Sequence, residues 1–167
     1  VAAGIALLRP GTGGTEVLLV HPGGPYWANK DIHGWSIPKG ELDPGEDAAS
    51  EADLATAARR EFHEETGHRP PDGYMVALPE LKLSSSKRLR AFAIRGDLDP
   101  DTITSNTFEL EWPPRSGRTQ LFPEVDRAAW FTLDEARERL HKGQQGLIDH
   151  LVGLGAEMAD DEDDRCR

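Results

Sequence analysis

The sequence contains a single cysteine, Cys166, beside its last residue. No internal disulfide can form, so a reducing, cytoplasmic setting is expected. Long apolar runs are also missing. Nothing approaches the ~20 residues of a transmembrane helix, which argues against a membrane-spanning role. The apolar opening Val1 to Leu8 is short, no basic segment precedes it, and strand-like residues follow. It reads as a first strand and not as a signal peptide. Positive charge is scarce: 19 Lys and Arg face 30 Asp and Glu, a formal charge of −11. Long nucleic acid is a poor partner for such a surface. A small polyphosphate complexed with a cation stays compatible, because the cation mediates the contact. The six histidines show no zinc-ligand spacing, and no nucleophilic serine or cysteine arrangement stands out.

What is present fits one globular unit. A chain of 167 residues with 37% hydrophobic and 29% charged residues can bury a substantial core. We expect one domain over residues 1–156 and a solvated acidic tail over 157–167, where Asp160, Asp161, Glu162, Asp163 and Asp164 cluster. Strands are expected over residues 2–9, 16–21, 74–83, 88–95 and 128–131, with a further one about 108–112. Trp35 to Pro38 reads as a short extended piece. Helices are expected over about 53–66, over 133–141 capped by Thr132, and over 144–155 with Leu147, Ile148, Leu151 and Val152 on one side. Strands with helices before and after them suggest an α/β protein with a mixed sheet between helices.

The most informative segment is residues 40–67. It reads Gly-Glu-Leu-Asp-Pro-Gly-Glu, then thirteen residues, then Arg-Glu-Phe-His-Glu-Glu-Thr-Gly. Glu61, Glu64 and Glu65 fall on one turn of the expected helix and share a narrow face. Like charges at this spacing repel, and a divalent cation would relieve the repulsion. Hard oxygen ligands suit Mg²⁺ or Mn²⁺, and Mg²⁺ typically bridges carboxylates to substrate phosphates. The competing reading is a solvated acidic face. Arg60 directly before the first glutamate, Gly67 directly after the last, and the glycine turn upstream weigh against it.

This segment resembles the Nudix box, the signature of the Nudix hydrolases. Gly40, Glu46, Arg60, Glu61, Phe62, Glu64, Glu65 and Gly67 match the pattern by residue type. His68 stands where the family has an apolar residue. The gap between Glu46 and Arg60 is also six residues longer than usual. The extra residues are placed at about Asp47–Ala52, with Asp53 as helix cap. Glu51 then competes with Glu46 for the role of the box glutamate.

The resemblance, MutT-like in its main features, implies a Nudix α/β/α sandwich. It also implies a Mg²⁺-dependent pyrophosphohydrolase, with Mn²⁺ as an alternative ion. Glu61, Glu64 and Glu65 would hold the metal or act on the attacking water, with the base not assigned to one of them. The Gly40 carbonyl would be a further ligand, and Arg60 would orient carboxylates. A loop acid often completes such sites; Glu109, Glu111 and Glu124 are the candidates, with Glu124 ranked first because Glu124 to Phe131 resembles a recurrent family segment. The lead-in Trp35-Ser36-Ile37-Pro38-Lys39-Gly40 resembles that of the dinucleoside polyphosphate hydrolases. Lys39 there either contacts phosphate or is an ordinary exposed lysine. Trp112 and Arg115, in a proline-rich loop, either stack a base and touch phosphate or pack as a rigid turn; Tyr26 and Trp27 share that ambiguity. The expected partner is a nucleotide, bound by a monomer or homodimer. A dinucleoside polyphosphate is the first choice, then an (oxidised) nucleoside triphosphate, then ADP-ribose or a nucleotide sugar. A Nudix-fold nucleotide sensor without turnover is the rival of another class.

Overall fold

The computed structural model of the chain describes residues 1–154. The expected acidic tail with Cys166 lies outside the described residues, as does the expected helix end at Gly155. The core is a seven-stranded mixed sheet. Its main path runs β4 (Val76–Ala77), β6 (Arg88–Arg95), β1 (Ala2–Gly11), β2 (Gly14–Pro22) and β9 (Val125–Thr132). β3 (Lys39–Glu41) adds to β1, and β5 (Leu81–Lys82) adds to β6. β1 and β6 are parallel, in register from Ala2 opposite Leu89 to Leu8 opposite Arg95. The other pairings in the sheet are antiparallel. β7 (Thr107–Glu111) and β8 (Thr119–Pro123) form a separate hairpin.

Both faces of the sheet are covered, which explains why β1 is apolar nearly throughout instead of alternating. On one face Ala3, Ile5, Leu7, Leu18 and Phe92 pack against α1 (Glu51–Thr66) through Leu54, Ala57, Ala58 and Phe62. On the other, Ala6, Leu8, Val17, Leu19 and Ala91 meet α2 (Leu133–Arg139) and α3 (residues 146–154) through Ala136, Leu147, Ile148 and Leu151. The result is the α/β/α sandwich expected from the sequence. No described helix is long and apolar enough to cross a membrane.

Several boundaries differ from expectation. The strand expected over 74–83 is two short strands, because Pro79 between them has no N–H to give a ladder. α1 starts at Glu51, not Asp53. Ser50 is its cap, accepting from the Asp53 N–H at 3.2 Å, while the Asp53 carboxylate accepts from the Asp47 N–H at 2.8 Å. The inserted residues are therefore only partly loop: they include the cap and the first helical positions. Val152 is 55% exposed and does not join the buried side of α3. At α2 the reading holds: Thr132 and Glu135 form a reciprocal capping box.

Ser50→Ala is expected to cost about 1 kcal/mol of stability in urea unfolding. Deleting Asp47–Ala52 should cost more than that, since the cap and the helix start leave together. Unchanged stability of the deletion would contradict this placement.

Candidate active site

At about 100° per residue, the apolar stripe Leu54, Ala57, Ala58 continues to positions 61 and 65. Those core-facing positions hold Glu61 and Glu65. Burial dominates both carboxyls. Glu61 is pushed up to about 7, first by burial and then by the nearby Glu64 charge, with Glu124 adding. Glu65 is pushed up to about 8 by burial above all, with Lys39 opposing the shift.

The surrounding chain is shaped to these two acids. β3 crosses beside the helix and Gly40 lies against Glu61; a Cβ on Gly40 would fall 2.1 Å from the Glu61 carboxyl. A side chain there would have to displace the Glu61 carboxyl. The Lys39 N–H donates to Glu65 at 3.2 Å, and the Lys39 charge acts on the same carboxylate. Lys39 is half-buried beside the Glu65 carboxyl.

Arg60 distinguishes the two upstream glutamates by contact. Its guanidinium donates to both oxygens of Glu46 at 2.9 Å and lies 3.2 Å from Asp43. It also faces Glu61 at 3.6 Å and Glu64 at 3.9 Å. Arg60 thus lies among four carboxylates, with Glu64 its i,i+4 neighbour. The Glu46 carboxyl is held low, first by the Asp43 N–H and then by Arg60. Glu51 is exposed at the helix start and takes no part. Of the two, Glu46 is the one that meets Arg60.

Of the three loop acids, only Glu124 comes to the cluster; its charge is felt at Glu61 and Glu65. A chain of backbone hydrogen bonds fixes it there. Asn106 N–H donates to Glu64 C=O at 2.9 Å, Glu124 N–H to Asn106 C=O at 2.8 Å, and Gly23 N–H to Glu124 C=O at 3.0 Å. Glu109 and Glu111 are exposed on β7. His63 is exposed, as its helical position requires, and His68 bonds Thr102 Oγ1 at 2.9 Å instead of packing.

Beside Glu65 and Glu124 opens a cleft of about 350 Å³ between the 22–27 loop and the β7–β8 hairpin. Trp112 stands at its rim, edge-on to Tyr26 with ring centroids 5.3 Å apart. Arg115 occupies the exposed hairpin turn and is not part of the cleft lining. The sequence reading missed β8 and with it the hairpin. The usable signal was the period-two run Phe108-x-Leu110-x-Trp112, which places three apolar side chains on one face.

Among the described residues no three His, Cys, Asp or Glu side chains converge in metal-ligating geometry. The carboxylates repel one another and face protein partners instead, Glu65 the Lys39 N–H and Glu61 and Glu64 the Arg60 guanidinium. In kind the donors suit a hard divalent cation: they are oxygen only, and their charge is under-compensated by the protein.

The NUDIX domain family matches residues 1–151, and the chain belongs to that family. It is similar to an 8-oxo-(d)GTP phosphatase of Mycolicibacterium smegmatis, 30% identical over 110 residues. That match covers 64% of this chain and 26% of the relative, so the chain spans about a quarter of the relative's length. In fold it is similar to a C. elegans Ap4A hydrolase binary complex, with a TM-score of 0.63 at 21% identity, covering 94% of this chain and 99% of that one. It is also similar to the NUDIX domain of Shewanella oneidensis NrtR complexed with ADP ribose, TM-score 0.57 at 17% identity, covering 92% and 86%.

A carboxyl with a raised folded-state pKa keeps a proton that the unfolded chain, with its pKa of 4.5, releases. The stability contribution of Glu61 and Glu65 therefore falls as pH rises from about 4.5 to about 8. With chelator present, the Tm should decline over that window, and Glu65→Gln should flatten the decline and exceed wild type at pH 8 by about 3 °C. A Glu65→Gln curve parallel to wild type would show that Glu65 carries no such penalty.

Proposed function

We propose that the chain is a divalent-cation-dependent pyrophosphohydrolase that cleaves a phosphoanhydride bond in a nucleoside polyphosphate. The observation that carries this reading is the Glu61–Glu65 pair, half-buried and under-compensated, with Glu65 lining an aromatic cleft. Glu61, Glu64, Glu65, Glu124 and the Gly40 carbonyl would hold Mg²⁺ or Mn²⁺. A bound cation would neutralise phosphate oxygens and lower the cost of charge building on the leaving phosphate. Within this reading Arg60, anchored by Glu46 and Asp43, holds Glu61 and Glu64 in place. One of Glu61, Glu64 and Glu65 takes the proton of the water that attacks phosphorus. The bond from that phosphorus to the bridging oxygen breaks, and each product carries a terminal phosphate.

Lys39, beside Glu65, supplies a positive charge for a phosphate oxygen. Trp112 closes the rim of the cleft, and Arg115 in the outer turn would meet only the far end of an extended substrate. That layout, with the Trp35 to Gly40 lead-in, favours a dinucleoside polyphosphate. An oxidised nucleoside triphosphate is the second reading, favoured by the 30% identity to the 8-oxo-(d)GTP phosphatase. A reducing, cytoplasmic setting belongs to the same proposal.

Hydrolysis of a nucleotide panel with Mg²⁺, with products resolved by chromatography, tests it. Cleavage should require the cation, and Glu64→Gln or Glu65→Gln should lower kcat by about 10²-fold or more with the fold retained. Nucleotide binding without any turnover would favour a sensor module instead.

A further inference from the structure

The cleft changes character away from its acids. Beyond Glu65 and Glu124 its side-chain walls are Tyr26, Trp27, Phe108 and Leu110, with Pro22 to Pro25 supplying the rest of one side. Both walls are held before any ligand arrives. The Gly23 N–H is tied to Glu124, and a Cβ on Gly23 would fall 1.9 Å from the Pro123 carbonyl oxygen. Gly24, at φ +94°, lies against Phe108, whose ring is 3.0 Å from where its Cβ would be. Trp27 is braced by the His141 ring at 5.1 Å and by the Lys30 ammonium at 4.8 Å. Tyr26 meets Trp112 across the rim. A volume of about 350 Å³ falls at the small end of ligand pockets, a size suited to one nucleoside.

What the walls lack is as informative. Base edges are read in bidentate fashion by Asn, Gln, Arg or Lys, and by Ser or Thr singly. Among the described residues none of these lines the cleft. Its side-chain donors are the Tyr26 hydroxyl and the Trp27 indole N–H. Its two acids stand at the end where the proposed hydrolysis takes place. Aromatic faces attract any base, since every base has a π face.

The geometry points to a base-stacking subsite that takes a nucleobase by its face and does not choose among adenine, guanine, cytosine and uracil. Resting on the proposed hydrolysis for its orientation, it puts the base between the 22–27 loop and the hairpin and the phosphates toward Glu65 and Glu124. Selection between substrates then falls on the phosphate chain.

Binding can be separated from turnover by calorimetry on the full chain with AMP, GMP, CMP and UMP, chelator present. The four dissociation constants should lie within about tenfold of one another, and ribose 5-phosphate should bind at least about fivefold more weakly than any of them. Trp27→Ala should weaken all four by about fivefold or more, and Trp27→Phe should restore most of the loss, both with wild-type circular dichroism. A preference above about a hundredfold for one base, no binding of any monophosphate, or undiminished binding by Trp27→Ala would each overturn the subsite. Base-tolerant binding in a protein that hydrolyses no nucleotide would uphold the subsite and remove the hydrolase reading.

Discussion

The site depends on one costly placement: two carboxylates in the apolar stripe of α1. The stripe that buries Leu54, Ala57 and Ala58 against the sheet delivers Glu61 and Glu65 to the same side. Desolvation disfavours their charged forms. The neighbouring chain accommodates that burial without cancelling it. Gly40 withdraws its side chain, Lys39 offers an N–H and a nearby charge, and Arg60 stands at the helix flank, tied outward to Glu46 and Asp43. The acids remain raised toward 7 and 8, so the protein alone does not provide the positive charge they lack.

The fold makes that placement rigid. β1 is hydrogen-bonded to β3 on one side and β6 on the other, and α1 packs across them. Gly40, one residue after Lys39, is set by the pairing of Ala3 with it. On the far face the buried Gln144 side chain accepts from Ile37 N–H and donates to Ser36 Oγ, fixing the strand segment that leads into β3. From the end of α1 the relay through Asn106, Glu124 and Gly23 carries position outward to the 22–27 loop. Carboxylates and aromatic cleft are therefore parts of one framework, joined by backbone bonds between segments far apart in sequence.

What could be read from the sequence was local. The spacing of Glu61, Glu64 and Glu65 depends only on helical geometry, and the Thr132–Glu135 box lies within one turn. The strand expected over 88–95 appears at those bounds because its apolar run is bounded by arginines. What stayed hidden was decided elsewhere. Ser50 and Asp53 are both good cap residues three positions apart, and only the helix start chooses between them. Glu46 and Glu51 are alike in sequence; contact with Arg60, fourteen residues on from Glu46, separates them. Glu124 is distinguished from Glu109 and Glu111 by backbone bonds to Asn106 and Gly23. The strand Thr119–Pro123 has weak alternation and takes its shape from pairing with β7. Pro79 divides the strand expected over 74–83, because one missing N–H interrupts the ladder.

A divalent cation would supply the charge that Glu61 and Glu65 lack. Thermal unfolding at pH 8, titrated with Mg²⁺ and separately with Mn²⁺, tests it most directly. A cation that binds only the folded state raises the Tm in a saturable way. The account predicts a rise of about 5 °C at saturation in wild type and little or none in the Glu61→Gln, Glu65→Gln double variant. An unchanged wild-type Tm at millimolar concentrations of both ions, or an equal rise in the double variant, would contradict it.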